Sequence, residues 1–277
     1  MVSKSEVQES ATAIEARIAE LREVIAQDSE ILRRGGVVFP HYTIGANLGP
    51  IFELLGKSGN EHLLLGHGVS HVADIGCGNG DLAFTLSSCG YTVTAVDYSS
   101  SVNQSPYIAS QIARKLELPI AIVDFSVDRS FQISDLKANC IHNEHDSLPQ
   151  DTQHFDFSIC LGLLYHLKNP YAFIESLARI TRYCIVQTWI FTQLSPETAD
   201  LSQSSVAYLL DDRELNGDPT NYWIFSDVAL TRLFRRCGLE VLDKLVIPNN
   251  PQGIGTPNQM DLLMRGFYLL RSSINIS

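Results

Sequence analysis

The sequence predicts an α/β fold: a mainly parallel sheet, helices over its faces, and an antiparallel pair of strands at its end. Three observations predict it. Beyond Pro40, short apolar runs rich in β-branched residues alternate with stretches of helical spacing. One of those runs feeds a glycine-rich turn that opens directly into an apolar, helix-like segment. The last two strand-like runs follow each other with no helix between them.

The first element is a helix. Val7, Ala11, Ile14, Ile18, Leu21, Ile25 and Leu32 form an apolar stripe, with Glu15, Arg17, Glu20, Arg22 and Glu23 on the wet side. Arg33 and Arg34 suit the negative end of its dipole, and Gly35-Gly36 stops it. Such a stripe packs on its own domain or, in the sharper reading, on a second copy as a homodimer contact. Residues 1–60 are accordingly read as an N-terminal helical extension or cap, and 61–277 as the main domain, with an insertion at 192–222. The strands of that domain are HVADIGCG, YTVTAVDYS, PIAIVDFS, FDFSICLG and CIVQTWIF. Between them, Asp81–Cys89, Asn103–Leu116 and Pro170–Arg179 have helical spacing. Ser226 caps a further helix over Asp227–Cys237 that stops at Gly238. LEVLDKLVI and LLMRGFYLL close the sheet as a hairpin around PNNPQGIGTPN.

Composition bounds the partners. Of 277 residues, 45% are hydrophobic and 18% charged, enough apolar material for a full core. No apolar run approaches the roughly 20 residues a bilayer span needs, and MVSKSEVQES has no apolar stretch behind its charges, so neither membrane span nor signal peptide is expected. Six cysteines without a CxxC pair read as reduced thiols of a cytoplasmic protein. The net charge is −11, and no basic run exceeds Arg33-Arg34 and Arg235-Arg236. Nucleic-acid binders draw affinity from Lys and Arg, so a small molecule is the expected partner.

The most informative stretch is VADIGCGNGDL, residues 72–82. Glycines at 76, 78 and 80 let the backbone turn tightly and approach a ligand, and the helix behind them points free N–H groups at it. The spacing is G-x-G-x-G, not the G-x-G-x-x-G of a dinucleotide site. Asp74, two residues earlier, would repel a pyrophosphate but suit a cationic or amine-bearing ligand. The second strand ends in Asp97, 19 residues beyond Gly78, where a carboxylate can accept both hydroxyls of a ribose. A phosphate-free nucleoside with an amino-acid tail is required, and S-adenosylmethionine fits.

From Val72 to Arg271 the chain resembles the class I S-adenosylmethionine-dependent methyltransferases. VADIGCGNG is similar to their first motif, VTAVDYS to the second and FDFSICLGLLYHLKNP to the fourth. The resemblance implies a Rossmann-like, seven-stranded, mainly parallel sheet whose last strand inserts antiparallel, with helices on both faces. It also implies that Asp74, Gly76, Gly78 and Gly80 surround the methionine end of the cofactor, that Asp97 binds the ribose, and that Tyr98 and Ser99 flank ribose and adenine. Two candidates compete for the adenine amino group: Asp124, and His145-Asp146. The second is preferred, because members of the family often carry an acid shortly before a Leu-Pro there. LGLLYHLKNP, with CIVQTWIF, NYWIFSDVAL and LFRRCGLEV, is also similar to the tRNA wobble-uridine carboxymethyltransferase group. That likeness puts Leu161 and Tyr165 at the cofactor and Arg265 toward its donor group. HYTIGANLGPIFELLG, however, lacks the tryptophan and lysine which that group uses for a carboxylated cofactor, so plain S-adenosylmethionine is expected.

Tyr165 and His166 follow the fourth strand, at the edge where open sheets bind ligands. They are the candidate catalytic residues, His166 as a base and Tyr165 as a pocket wall. Helix capping or a bond to a backbone carbonyl is the bland role for His166. The insertion at 192–222 reads as an acceptor-binding lid, or else as a surface excursion with Trp223 in the core. Cys140, His142 and His145 lack a fourth ligand at zinc-like spacing, so no metal is expected. The expected activity is methyl transfer to oxygen or nitrogen of a small-molecule acceptor. An RNA-modifying enzyme of the wobble-uridine kind and a non-catalytic cofactor-binding regulator are the rivals.

Overall fold

A computed structural model describes residues 2–26, 44–65, 69–99, 105–141, 148–193, 200–215, 217–248 and 263–274. The chain forms two compact units, Met1–Val127 with Phe131–Ile159, and Asp128–Ser130 with Cys160–Ser277.

In the first unit, β1 (His71–Ile75), β2 (Thr92–Asp97), β3 (Ile120–Asp124) and the start of β4 (Phe155–Leu161) run parallel in the order β3-β2-β1-β4. Val72, Ala73, Ile75, Val93, Ala95 and Val96 are buried almost completely, as expected of strands covered on both faces. The crossovers are α3 (Asp81–Ser88) and α4 (Ser105–Leu116), both packed on β2 and β3. Helix α1 (Lys4–Ala26) buries Val7, Ala11, Ile14 and Ile18 and lies against α2 (Ile44–Lys57), α3 and α4. From Val7 to Ile18 the stripe is therefore a packing face within its own unit. Its expected end, at Arg33 to Gly36, lies outside the described residues. A short helix, α5 (Ile133–Ala138), escaped the periodicity argument because six residues complete fewer than two turns.

The second unit is built on β5 (Thr181–Phe191). From Tyr183 onward β5 pairs antiparallel with β9 (Leu263–Ser272), from Tyr183↔Arg271 to Phe191↔Leu263. β9 pairs in turn with β8 (Leu239–Pro248), which gives the expected antiparallel ending. Helix α6 (Pro170–Ile180) covers β5 and β9, with the Asn169 side chain accepting from Ala172 N–H at its start. Helix α7 (Asp227–Arg236) packs on β8 behind its Ser226 cap. Among the described residues the sheet has nine strands where seven were expected. The extra two, β6 (Ala207–Leu209) and β7 (Trp223–Phe225), form a small antiparallel pair, and β7 joins β5 through Ile190↔Phe225. At three residues each they are too short to leave a period-2 signal. Trp223 is only partly buried, its Nε1 donating to Lys168 O, so it does not sit in the core. No helix among the described residues is long and apolar enough to cross a membrane.

Candidate cofactor and catalytic residues

The glycine turn is fastened to the next strand. Gly76 and Cys77 N–H both donate to Val96 O, at 2.8 and 3.1 Å. Gly76, Gly78 and Gly80 all have positive φ, at 80°, 55° and 93°. The two later glycines serve different ends. A Cβ at Gly80, the cap of α3, would meet Phe84 Cζ at 2.6 Å, whereas nothing lies within 4 Å of a Cβ built at Gly78. Gly80 is needed for packing; Gly78 leaves open space.

Asp97 closes the arrangement. Its Oδ2 accepts from Gly78 N–H and its Oδ1 from Tyr98 N–H, each at 2.7 Å. The parallel register Ile75↔Val96 brings the two strand ends level, which is why a separation of 19 residues becomes a direct bond. Tyr98 is exposed, and Ser99 N–H donates to Asp124 Oδ1 at 2.8 Å. Asp124 thus holds the segment that carries Tyr98 and Ser99, a role not foreseen for it. His145 and Asp146 lie outside the described residues.

Asp74 is 4% exposed, and its Oδ2 has no hydrogen-bond partner among the described residues. Burial, helped by the charge of Asp97 and opposed by Ala83 N–H, pushes its pKa to about 7. Burial likewise pushes Asp97 to about 6, against the Tyr98 and Gly78 N–H bonds, and Asp81 to about 6. Asp81 drew no notice in the sequence beyond opening a helix; its position directly after Gly80 was the available signal. Three carboxyls that ionise reluctantly in one neighbourhood make a place where a cation is welcome.

The second unit holds the other candidates. Leu161 ends β4, and Gly162 N–H after it donates to Gln187 O at 3.1 Å. A 3₁₀ turn over Leu164–His166 carries the catalytic candidates. The Tyr165 ring stacks on Trp189 at 4.4 Å and 4°, inside an apolar cluster with Phe191, Leu210, Leu215, Ile224 and Leu263. His166 lies beside that ring, and its Nδ1 is 3.1 Å from Thr220 O and 3.0 Å from Thr220 Oγ1. A bond to a backbone carbonyl is therefore made, whereas the cap of α6 is Asn169. Burial lowers the His166 pKa against the Thr220 bond and the Asp218 charge. Thr220 was missed, because nothing local in sequence marks a threonine 54 residues from its partner. Arg265 stands over the Phe267 ring at 5.1 Å.

Residues 18–244 match the family described as "Methyltransferase domain". Over 111 residues the chain is 30% identical to a ubiquinone biosynthesis O-methyltransferase of Glaesserella parasuis, covering 40% of each chain. The chain thus matches about two fifths of that relative's length. A SAM-dependent methyltransferase structure from Methanosarcina mazei superposes with a TM-score of 0.51 at 17% identity, over 77% of this chain and 97% of that one. The N-terminal domain of EvdMO1 with SAH bound gives 0.50 at 14% identity, over 80% and 83%. The chain therefore belongs to the methyltransferase-domain family, of the S-adenosylmethionine-dependent class that its motifs resemble.

Proposed function

We propose that this chain transfers a methyl group from S-adenosylmethionine to a hydroxyl oxygen of a small organic acceptor. One observation carries the cofactor half of that reading: the Asp97 carboxylate bonded to Gly78 N–H, with the buried Asp74 Oδ2 lacking a described partner. The residues fit the group. Asp74 offers a buried acceptor to an ammonium, Gly78 leaves the close approach open, and the remaining lone pairs of Asp97 suit ribose hydroxyls. When bound, S-adenosylmethionine supplies an electrophilic methyl carbon and departs as a neutral thioether. His166 has the part of base: as the acceptor oxygen bonds to carbon, its proton passes to the imidazole and then to water. The likeness to an O-methyltransferase supports oxygen as the accepting atom, and the net charge of −11 supports a small molecule over a nucleic acid.

Calorimetric titration with S-adenosylhomocysteine, with NAD as control, tests the first half; a protein that takes up NAD and ignores the thioether sinks it. Mass analysis of product from a panel of phenols and amines tests the second, and methylation confined to nitrogen refutes it. His166→Ala is expected to lower kcat by about 10²–10⁴ with thioether affinity unchanged.

A further inference from the structure

Thr220 presents two oxygens to a single histidine nitrogen. His166 Nδ1 lies 3.1 Å from Thr220 O and 3.0 Å from Thr220 Oγ1. A carbonyl only accepts, so Nδ1 is the donor in the first contact. The hydroxyl has one proton, and Thr220 Oγ1 gives it to Asp218 Oδ1 at 2.6 Å. Its oxygen is therefore left to accept from Nδ1 as well. The same Asp218 oxygen takes Thr220 N–H at 2.8 Å, closing a turn that fixes the direction of both threonine oxygens. That turn is anchored in turn. Asp218 N–H donates to Leu215 O at 3.1 Å, the buried Asn221 side chain donates to the same carbonyl, and Tyr222 N–H donates to Tyr165 O at 2.8 Å.

We propose that the Asp218–Thr220 turn is a positioning device that locks neutral His166 in its Nδ1–H tautomer and leaves Nε2 as the proton-accepting nitrogen. The proposal rests on the reading of His166 as the base. It goes further by assigning which nitrogen acts and what aims it. No described residue bonds Nε2. The lock has work to do, because neutral histidine in water favours the Nε2–H form, which would place the proton on the nitrogen that must receive one. Which ring nitrogen carries the proton follows from the bond the other one makes. Once Nε2 has taken a proton, the imidazolium keeps its Nδ1–H directed at Thr220 and, through the hydroxyl, at the Asp218 carboxylate. The burial that lowers the His166 pKa keeps the ring neutral before the proton arrives.

The experiment labels the eight histidines with ¹⁵N and records two-bond ¹H–¹⁵N correlations at pH 8; the His166→Ala spectrum identifies the signal. Nδ1 is expected as the N–H nitrogen and Nε2 as the bare one; the opposite pattern overturns the lock whatever the kinetics. Asp218→Ala is expected to shift the ring toward Nε2–H and to lower kcat about tenfold, the loss of roughly one hydrogen bond in the transition state. Thioether affinity should not move. Asp218→Asn keeps an oxygen that accepts both Thr220 protons, so it should restore most of the rate. An Asp218→Ala protein with unchanged tautomer and unchanged kcat refutes the assignment. If His166→Ala turns over normally while the wild-type spectrum shows Nδ1–H, the base reading falls and the lock stands.

Discussion

Asp74→Asn separates the cost of the cofactor site from its use. Burial raises the Asp74 carboxyl from an ordinary 3.8 to about 7, so the folded chain holds this proton more tightly than the unfolded chain. Stability therefore falls as pH rises from about 4 to about 7, and the penalty is constant above that. Between pH 5 and pH 8 the portion lost spans about two pKa units, or about 2–3 kcal/mol at 1.36 kcal/mol per unit. Asparagine fills the same space without ionising, so the variant escapes this loss. In a chain of this size each kcal/mol moves Tm by about 2–4 °C. The variant should thus gain roughly 5–10 °C on the wild type in going from pH 5 to pH 8. The assay is a thermal-shift series on the ligand-free protein across that range. In the presence of ligand the order reverses. Loss of a charged acceptor for the ammonium of S-adenosylhomocysteine removes about 1.5–3 kcal/mol, a weakening of roughly 10- to 150-fold by calorimetry. If the Tm difference between the two proteins is the same at pH 5 and pH 8, Asp74 does not titrate in the fold. If thioether affinity is untouched, the carboxylate does not face the ligand. The second result removes the central support of the cofactor assignment, and the first removes the pH dependence alone.

Two further substitutions probe the scaffold. Gly80→Ala puts a Cβ 2.6 Å from the fully buried Phe84 ring at a φ of 93°, so strain and overpacking together should cost about 3 kcal/mol and roughly 10 °C in Tm; Gly78→Ala, with open space before it, should cost about 1 kcal/mol of stability but most of the thioether affinity, and equal behaviour of the two variants would show that Gly78 faces no ligand. Ser226→Ala removes more than a helix cap, because the hydroxyl accepts from Ala229 N–H and Val206 N–H and donates to Ser204 O. About 2 kcal/mol is expected from these bonds together, read as a shift of the urea midpoint at constant slope, and a shift under 0.5 kcal/mol would show that water replaces them.

The contact between Asp97 and the glycine turn was legible in the sequence, and that between Thr220 and His166 was not, for one physical reason. Asp97 and Gly78 stand at the ends of neighbouring parallel strands, and parallel register leaves few ways to join a strand, a glycine turn, a helix and a second strand. Their separation of 19 residues therefore encodes a contact. The antiparallel ending was legible in the same way, from two strand-like runs with no crossover helix between them. Thr220 meets His166 across 54 residues through a turn set by one Asp218 side chain, and no periodicity spans that distance. An Asp, a Thr and an Asn close together in a loop look like a solvated turn. Only the placement of Leu215 and Asn221 in the interior shows that this turn faces inward. The same holds for β6 and β7, whose three residues each become strands by pairing with one another and, through Phe225, with the end of β5. The consequence is an asymmetry in how the two units respond to change. Replacing Gly80 breaks a local rule that any reading of the sequence would flag. Replacing Thr220 breaks none, although it removes the hydroxyl that links His166 Nδ1 to Asp218.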